Sequence, residues 1–278
     1  MRINIVLTLL ICVVHSAFGQ VTITGKVIDS ASKEPVPYVS IGIKELSKGT
    51  VSDGEGKFEL NRMAEEAIII FSSIGYESLE IQSQDLLVEG TVELTKKNYE
   101  LGLVEVQATR FDGEEKIFGL KNKKRGPSIG FGNPQLGTAI GSLIRLDKPT
   151  YIKSANFVLN HAKGDSLLFR VNIYSFENDE IGDNLLTENV LIREKQRKGT
   201  ITVDLTDYNL VLDSDVVLSV EWIKDFDELG SKGVTFDLKK GKKSKGVYLR
   251  LYSTGAFSKL PYQKRYSPCF FFIGKQTL

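Results

Sequence analysis

From residue 21 onward, apolar and polar residues alternate in short runs that Gly, Pro, Asp and Ser interrupt every few positions. A period of two with frequent turn residues predicts antiparallel β-structure. Val21 to Ile28 alternates and breaks at Asp29-Ser30. Pro35-Val36-Pro37 cannot donate regular ladder bonds, so it marks a strand edge before Tyr38 to Ile43. Thr50 to Leu60 reads as a hairpin, with Asp53-Gly54 supplying residues that tolerate positive φ. Ala67 to Ser72 is apolar on both faces, as expected of a strand central to a sandwich. Glu77 to Ile81 and Thr91 to Leu94 close the first set, and no segment in it sustains a helical period.

Residues 98–135 are richer in charge and turns, as in Asp112-Gly113-Glu114-Glu115 and Lys121 to Pro127, and read as a linker. Alternating runs then resume at Ala139–Ile144, Tyr151–Leu159, Leu167–Tyr174, Thr200–Leu205, Val216–Ile223, Gly246–Leu251 and Pro268–Ile273. About eight strands in this span predict a second sandwich, of jelly-roll type. The fold class expected is therefore all-β, two β-sandwiches in tandem, over residues 20–97 and 136–278.

Four separated motifs in the first set carry a resemblance. Thr24-Gly25-Lys26-Val27, Pro35 to Ile41, Thr50 to Phe58 and Phe71 to Tyr76 occur in the order seen in the carboxypeptidase-regulatory-like domain. That domain is common at the N-terminus of Bacteroidota TonB-dependent receptors. The resemblance covers about residues 20–97 and implies a transthyretin-like sandwich of seven strands without peptidase activity. Leu101 to Ala108 is similar to the segment that precedes the plug in such receptors, but no plug or barrel follows here.

The first residues change the picture of where the protein works. Arg2 precedes the apolar run Ile5 to Val14, and Ala17-Phe18-Gly19 follows, which is the layout of a secretory leader cleaved before Gln20. The run is too short to span a membrane, which takes about 20 apolar residues. Export to the periplasm or outer membrane is the expectation. The chain carries 36 basic and 35 acidic side chains, a balance that argues against nucleic acid as a partner. Of its two cysteines, Cys12 lies in the leader, so Cys269 has no partner for a disulfide. It sits in the run Cys269 to Ile273 and reads as a small buried hydrophobe.

Catalytic chemistry finds few groups. A catalytic zinc usually takes three protein ligands, and outside the leader the only histidine is His161. No Gly-x-Ser-x-Gly elbow accompanies it, and no phosphate-binding Gly-x-x-x-x-Gly-Lys-Ser/Thr loop is present. No metal and no cofactor is expected; Asp53 and Glu55 fall short of the six to eight oxygens that calcium takes. A glycosidase needs only two acids, and Asp204 and Glu221 are the strand-borne candidates, each expected on an outward face. Tyr248, Tyr252, Phe257, Tyr262 and Tyr266 interleave with Arg250, Lys259, Lys264 and Arg265, a composition suited to stacking on sugar rings. The same aromatics also serve as cross-strand core pairs in sandwiches. The basic run Lys239 to Lys245 reads as a solvated hairpin tip.

These readings define a non-catalytic exported envelope protein, a structural or protein-interaction module accessory to outer-membrane uptake. Its partner would be another envelope protein. The alternative is a carbohydrate-binding module acting through Tyr248, Arg250, Tyr252, Tyr262 and Tyr266 of the C-terminal sandwich, and a glycoside hydrolase ranks third.

Overall fold

The computed structural model describes residues 21–44, 46–63, 66–97, 111, 113–121, 126–131, 135–162, 167–223, 234–240, 246–260 and 265–277. The leader, the Leu101 to Ala108 segment, Tyr262 and residues 241–245 of the basic run lie outside them. The chain is all-β, with two sheet-rich domains and a short helix. Among the described residues no helix is long and apolar enough to cross a membrane.

The N-terminal domain contains β1 (Val21–Asp29), β2 (Ser40–Ile43), β3 (Gly49–Val51), β4 (Lys57–Met63), β5 (Ile68–Ser72), β6 (Leu79–Gln82), α1 (Ser83–Glu89) and β7 (Thr91–Leu94). They form two sheets, in order β4-β1-β7 and β3-β2-β5-β6. Alternation works as expected: Ile23, Val27, Phe58, Leu60 and Val92 of one sheet meet Ile41, Ile43, Ile69 and Phe71 of the other. Phe58 and Phe71 meet edge to face at 5.4 Å. Seven strands are described, the number the resemblance implies.

Three local expectations need correction. β3 and β4 are not a hairpin, because they belong to opposite sheets. Asp53 instead folds a tight turn, its Oδ1 accepting from the amides of Glu55 (2.8 Å) and Lys57 (2.9 Å), and positive φ falls on Gly56. The strand buried on both faces is β2, whereas β5 alternates between buried and half-buried. A helix, α1, does form; it is too short to show a period and stops at Gly90, whose amide bonds Leu86 O with φ 63°.

The C-terminal domain contains β8 (Lys116–Gly119), β9 (Ser128–Gly130), β10 (Ala139–Ile144), β11 (Thr150–His161), β12 (Leu167–Glu177), β13 (Glu180–Asn184), β14 (Val190–Glu194) and β15 (Gly199–Asp204). After it come β16 (Val211–Leu212), β17 (Val216–Trp222), β18 (Thr235–Lys240), β19 (Tyr248–Arg250), β20 (Ser258–Lys259), β21 (Tyr266–Pro268) and β22 (Phe270–Gln276). One sheet runs β13-β12-β17-β10-β19-β20, with β14 also on β12. The other runs β21-β18-β11-β22-β8, with β15 and β16 on β11 and β9 on β18. Phe157, Phe236, Phe270 and Phe272 of the second sheet pack on Phe169, Leu218, Val220 and Trp222 of the first. Part of the stretch read as linker is thus strand. β8 and β9 are too brief and too closely flanked by charge to show a period, yet they extend the second sheet.

The two domains dock through β2 and the outer face of the first C-terminal sheet. Ile41 and Ile43 fill their own domain's core, while Ser40 and Gly42 face the neighbour. Tyr38 and Val51 join Leu168 and Ile223 in one apolar cluster across the junction. Tyr38 holds a φ of 57°, a conformation a bulky residue adopts only when its surroundings enforce it. Here Arg170 Nη2 donates to its carbonyl at 2.6 Å and Arg193 Nη2 to its hydroxyl at 3.0 Å. Gly42 lets the chains approach: a Cβ there would strike Thr254 Oγ1 and come within 2.7 Å of Ser253 O.

Gly42→Ala is therefore expected to destabilise the full chain by about 1–3 kcal/mol through overpacking at the junction, read as a lower urea midpoint. A second expectation concerns acid. Asp29 accepts from the amides of Ser32 (2.8 Å) and Ala31 (2.9 Å) and from the Tyr76 hydroxyl (3.2 Å). These bonds, that of Ser32 foremost, lower its pKa from 3.8 to about 2 against the opposing pull of burial. A depressed carboxylate stabilises the fold above its unfolded pKa and loses that contribution as pH falls through the folded value. Asp29→Asn should therefore be less stable than wild type at neutral pH, the gap closing between pH 3.8 and about 2, as measured by denaturation at stepped pH.

Candidate functional site

The outer face of β12 and β17 is set by parity. Residues 169, 171 and 173 of β12 point into the core, so Leu168, Arg170, Asn172, Tyr174 and Phe176 point outward. On β17 the same rule turns Val217, Ser219 and Glu221 outward. Register then aligns Arg170 with Glu221, Glu221 with Ala139 of β10, and Ala139 with Arg250 of β19. A row of three charges results, in which the small Ala139 leaves room for Arg250 to reach across to Glu221. Arg250 Nη2 lies 2.8 Å from Glu221 Oε1, and Arg170 Nε lies 3.6 Å from Oε2.

The expectation that Glu221 faces solvent is corrected here. Its parity is outward, but the N-terminal domain covers that face, and Glu221 is 1% exposed. Burial favours its neutral form, yet the guanidiniums of Arg170 and Arg250, with hydrogen bonds from Asn172 (3.0 Å) and Ser40 (3.2 Å), hold its pKa below the ordinary value. Ser40 comes from the other domain, so the carboxylate is shared between the two. Asn184 Nδ2 donates to Asn172 Oδ1 at 2.8 Å and extends the network outward. Burial also raises the Tyr174 pKa, and its hydroxyl accepts from Arg250 Nη1 at 3.2 Å.

Two recesses flank this network. One, of about 270 Å³, lies between the domains and is lined by Ser72, Ser73, Tyr76 and Lys97 on one side and Arg170, Asn172 and Glu221 on the other. The second, of about 640 Å³, belongs to the C-terminal domain alone. Tyr174, Tyr248, Phe257, Asp179, Glu180 and Lys259 line it. Tyr174, Gly182 and Arg250 form part of both linings. Arg250 sits 5.2 Å from the Phe257 ring centroid, Tyr174 meets that ring edge-on at 5.3 Å, and Lys259 Nζ lies 5.6 Å from the Tyr248 centroid.

Of the residues read as ligand-binding, Tyr248 and Arg250 share this groove, and both are largely buried. Tyr252 is half-buried and its ring packs over Gly255. Tyr266 belongs to β21 in the other sheet, against the core, and Tyr262 lies outside the described residues. Phe257 and Lys259, singled out in the same segment, line the groove as well, whereas sequence reasoning missed Tyr174 and Asp179 as groove residues and Arg170 as the partner of Glu221. An arginine inside Leu167-Leu168-Phe169-Arg170-Val171 was the available signal, since a charge in an apolar strand needs a partner.

The remaining candidates stand apart. Asp204 is exposed on β15 of the second sheet and accepts from Thr206, so it shares no site with Glu221. His161 is exposed at the end of β11. Cys269 is buried with Val158 and Phe271, and desolvation pushes its thiol up to about 12. Among the described residues, no three His, Cys, Asp or Glu side chains gather to hold a metal ion.

Fold and site together define an all-β chain in which a transthyretin-like domain is docked on a larger pair of sheets. Residues 23–106 match the model of the CarboxypepD_reg-like domain, so the chain carries an N-terminal domain of that family. No curated protein matches the chain. Among solved structures, one similar to it holds the cysteine protease and lectin-like domains of Cwp84, a surface layer associated protein of Clostridium difficile. That match has 10% identity and a TM-score of 0.40, over 94% of this chain and 59% of that one. A structure of the clostridial protease Cwp84 after propeptide cleavage gives 10% identity and a TM-score of 0.43, over 94% and 66%. The chain therefore spans about 59% of the length of the first of these.

Replacing Glu221 tests the charge row. Glu221→Gln leaves two buried guanidiniums uncompensated and is expected to cost about 3–5 kcal/mol. Asp204→Asn, on an exposed turn, should stay within about 0.5 kcal/mol. Chemical denaturation of both variants reads the difference, and equal small effects would mean that the row contributes little.

Proposed function

We propose that the protein is an exported, non-catalytic binding module whose C-terminal domain, a jelly-roll-type sandwich in this reading, takes a carbohydrate. The observation that carries this is the groove in which Tyr174, Tyr248 and Phe257 stand beside Asp179, Glu180, Arg250 and Lys259. Sugars present both apolar C–H faces and hydroxyl groups. Aromatic side chains accept the first, while carboxylates and cationic side chains hydrogen-bond the second. The combination suits a hydroxylated ring better than an apolar ligand, which would leave those charges desolvated and unpaired. Asp179 supports the reading at the mouth: it and Asn178 hold positive φ in the β12–β13 turn, which projects polar side chains beside the groove.

In this reading the CarboxypepD_reg-like domain takes no part in the groove, whose lining residues all belong to the C-terminal domain. The leader-like residues 1–19 support export to the envelope, where extended glycans are available.

A glycan array probed with the purified full chain, followed by calorimetry on the best ligand, tests the proposal. Phe257→Ala is expected to weaken binding about tenfold, equivalent to about 1.4 kcal/mol, with the fold retained by circular dichroism. A blank array, or a ligand whose affinity ignores both Phe257 and Lys259, would overturn it.

A further inference from the structure

The recess between the domains has a different character from the groove. Its N-terminal wall is a set of hydroxyls, Ser40, Ser72, Ser73 and Ser78, with Tyr76 beside them. Its C-terminal wall supplies the amides Asn172 and Asn184 together with Arg170 and Arg250. Two acids line it, Glu221 and Asp183, against three cations, Lys97, Arg170 and Arg250, which leaves a surplus of one positive charge. Glu221 is already engaged by both arginines, Asn172 and Ser40.

Three buried polar atoms on this lining have no hydrogen-bond partner, Ser73 Oγ, Arg170 Nε and Arg250 Nη2. The two guanidinium nitrogens face the Glu221 carboxylate as ion pairs, at 3.6 and 2.8 Å, which leaves Ser73 Oγ, on a residue 6% exposed, without a polar partner. Buried polar atoms nearly always find partners. Ser73 lines the cavity from one domain and the two arginines line it from the other. A ligand that bonds Ser73 Oγ and lies against the guanidiniums would give the serine a partner and join the domains at once. The volume of about 270 Å³ is near the lower end for small-molecule sites, and matches a single sugar ring rather than a chain.

We propose that this interdomain cavity binds a small hydroxylated carboxylate, of the uronic acid class, separately from the carbohydrate groove. The carboxylate lies toward Lys97 and the two arginines, and the ring hydroxyls exchange hydrogen bonds with the serines and asparagines. Lys97 stands at the solvent side, where it is exposed and draws the anion in. Ligand contacts on both walls couple occupancy to domain docking, since a ligand that binds only the docked state stabilises it by mass action.

Calorimetry of the full chain with D-glucuronate and with D-glucose, which differ at one carbon by the carboxylate, tests this. Glucuronate is expected to bind one-to-one, at least tenfold tighter than glucose, and to raise the unfolding temperature. Lys97→Glu, a surface change that leaves the core untouched, should weaken glucuronate at least tenfold. Ser73→Ala should weaken it several-fold, while Phe257→Ala leaves it unchanged. Absence of glucuronate binding, or equal affinity for both sugars, would mean that the cavity holds only water, and would overturn the proposal. Glucuronate binding lost in Phe257→Ala but kept in Lys97→Glu would also overturn it, placing the ligand in the groove and leaving the carbohydrate reading intact. Binding sensitive to Lys97 alone, with a blank glycan array, would sustain the cavity and remove the groove.

Discussion

The carboxylate of Glu221 has to be paired, and most of the architecture around the domain junction follows from that requirement. A buried carboxylate left unpaired costs several kcal/mol, a large share of a fold's net stability, and β12 and β19 each bring an arginine to it. Two cations around one anion are themselves out of balance, and the N-terminal domain helps to resolve this. Tyr38 offers its carbonyl to Arg170, and Ser40 offers its hydroxyl to Glu221. The unusual φ of Tyr38 is the local cost of presenting that carbonyl, offset by its ring packing on Leu168 and Ile223. An ion row of this kind adds less to stability than an apolar patch of similar area would. What it fixes is register: a shift of β17 by one residue would bury Val220 against the other domain and turn Glu221 into the phenylalanine core.

Much of the scaffold was legible because its rule is local. Alternation alone placed β1, β10, β11, β12 and β17. The four motifs from Thr24 to Tyr76 were enough to anticipate the transthyretin-like domain. What escaped was whatever depends on a second surface. Alternation gave Glu221 its outward parity but carries no information on what lies outside, and the covering residue Ser40 is 181 positions away. The same limit explains β2, whose Ser40 and Gly42 look like the solvent side of an edge strand until another domain covers them. The short strands β8, β9 and β13 escaped for another reason: three to five residues with charged or glycine positions are held by their neighbours' ladders rather than by their own pattern.

The candidate site was half legible. Tyr248 and Arg250 were singled out by the density of aromatic and basic residues near the C-terminus, and they do share a groove. Tyr252 and Tyr266, chosen on the same grounds, do not line it, because adjacency in sequence is not adjacency in space once β19 and β21 enter different sheets. The residues that complete the groove, Tyr174 and Asp179, come from the β12–β13 hairpin about 70 positions earlier, a pairing that only the sheet order reveals.

Arg250 ties these levels together. One guanidinium is an ion-pair partner of Glu221, a donor to Tyr174 and to Gly137 O, a cation over Phe257, and part of the wall of both recesses. A planar fork with five donors can serve such a junction where a lysine could not. Ser40 of the other domain donates to a carboxylate that Arg250 holds in place, while the groove-side contacts of Arg250 with Phe257 and Tyr174 stay within the C-terminal domain. The two recesses thus share one arginine and differ in the rest of their linings and in the chemistry they suit.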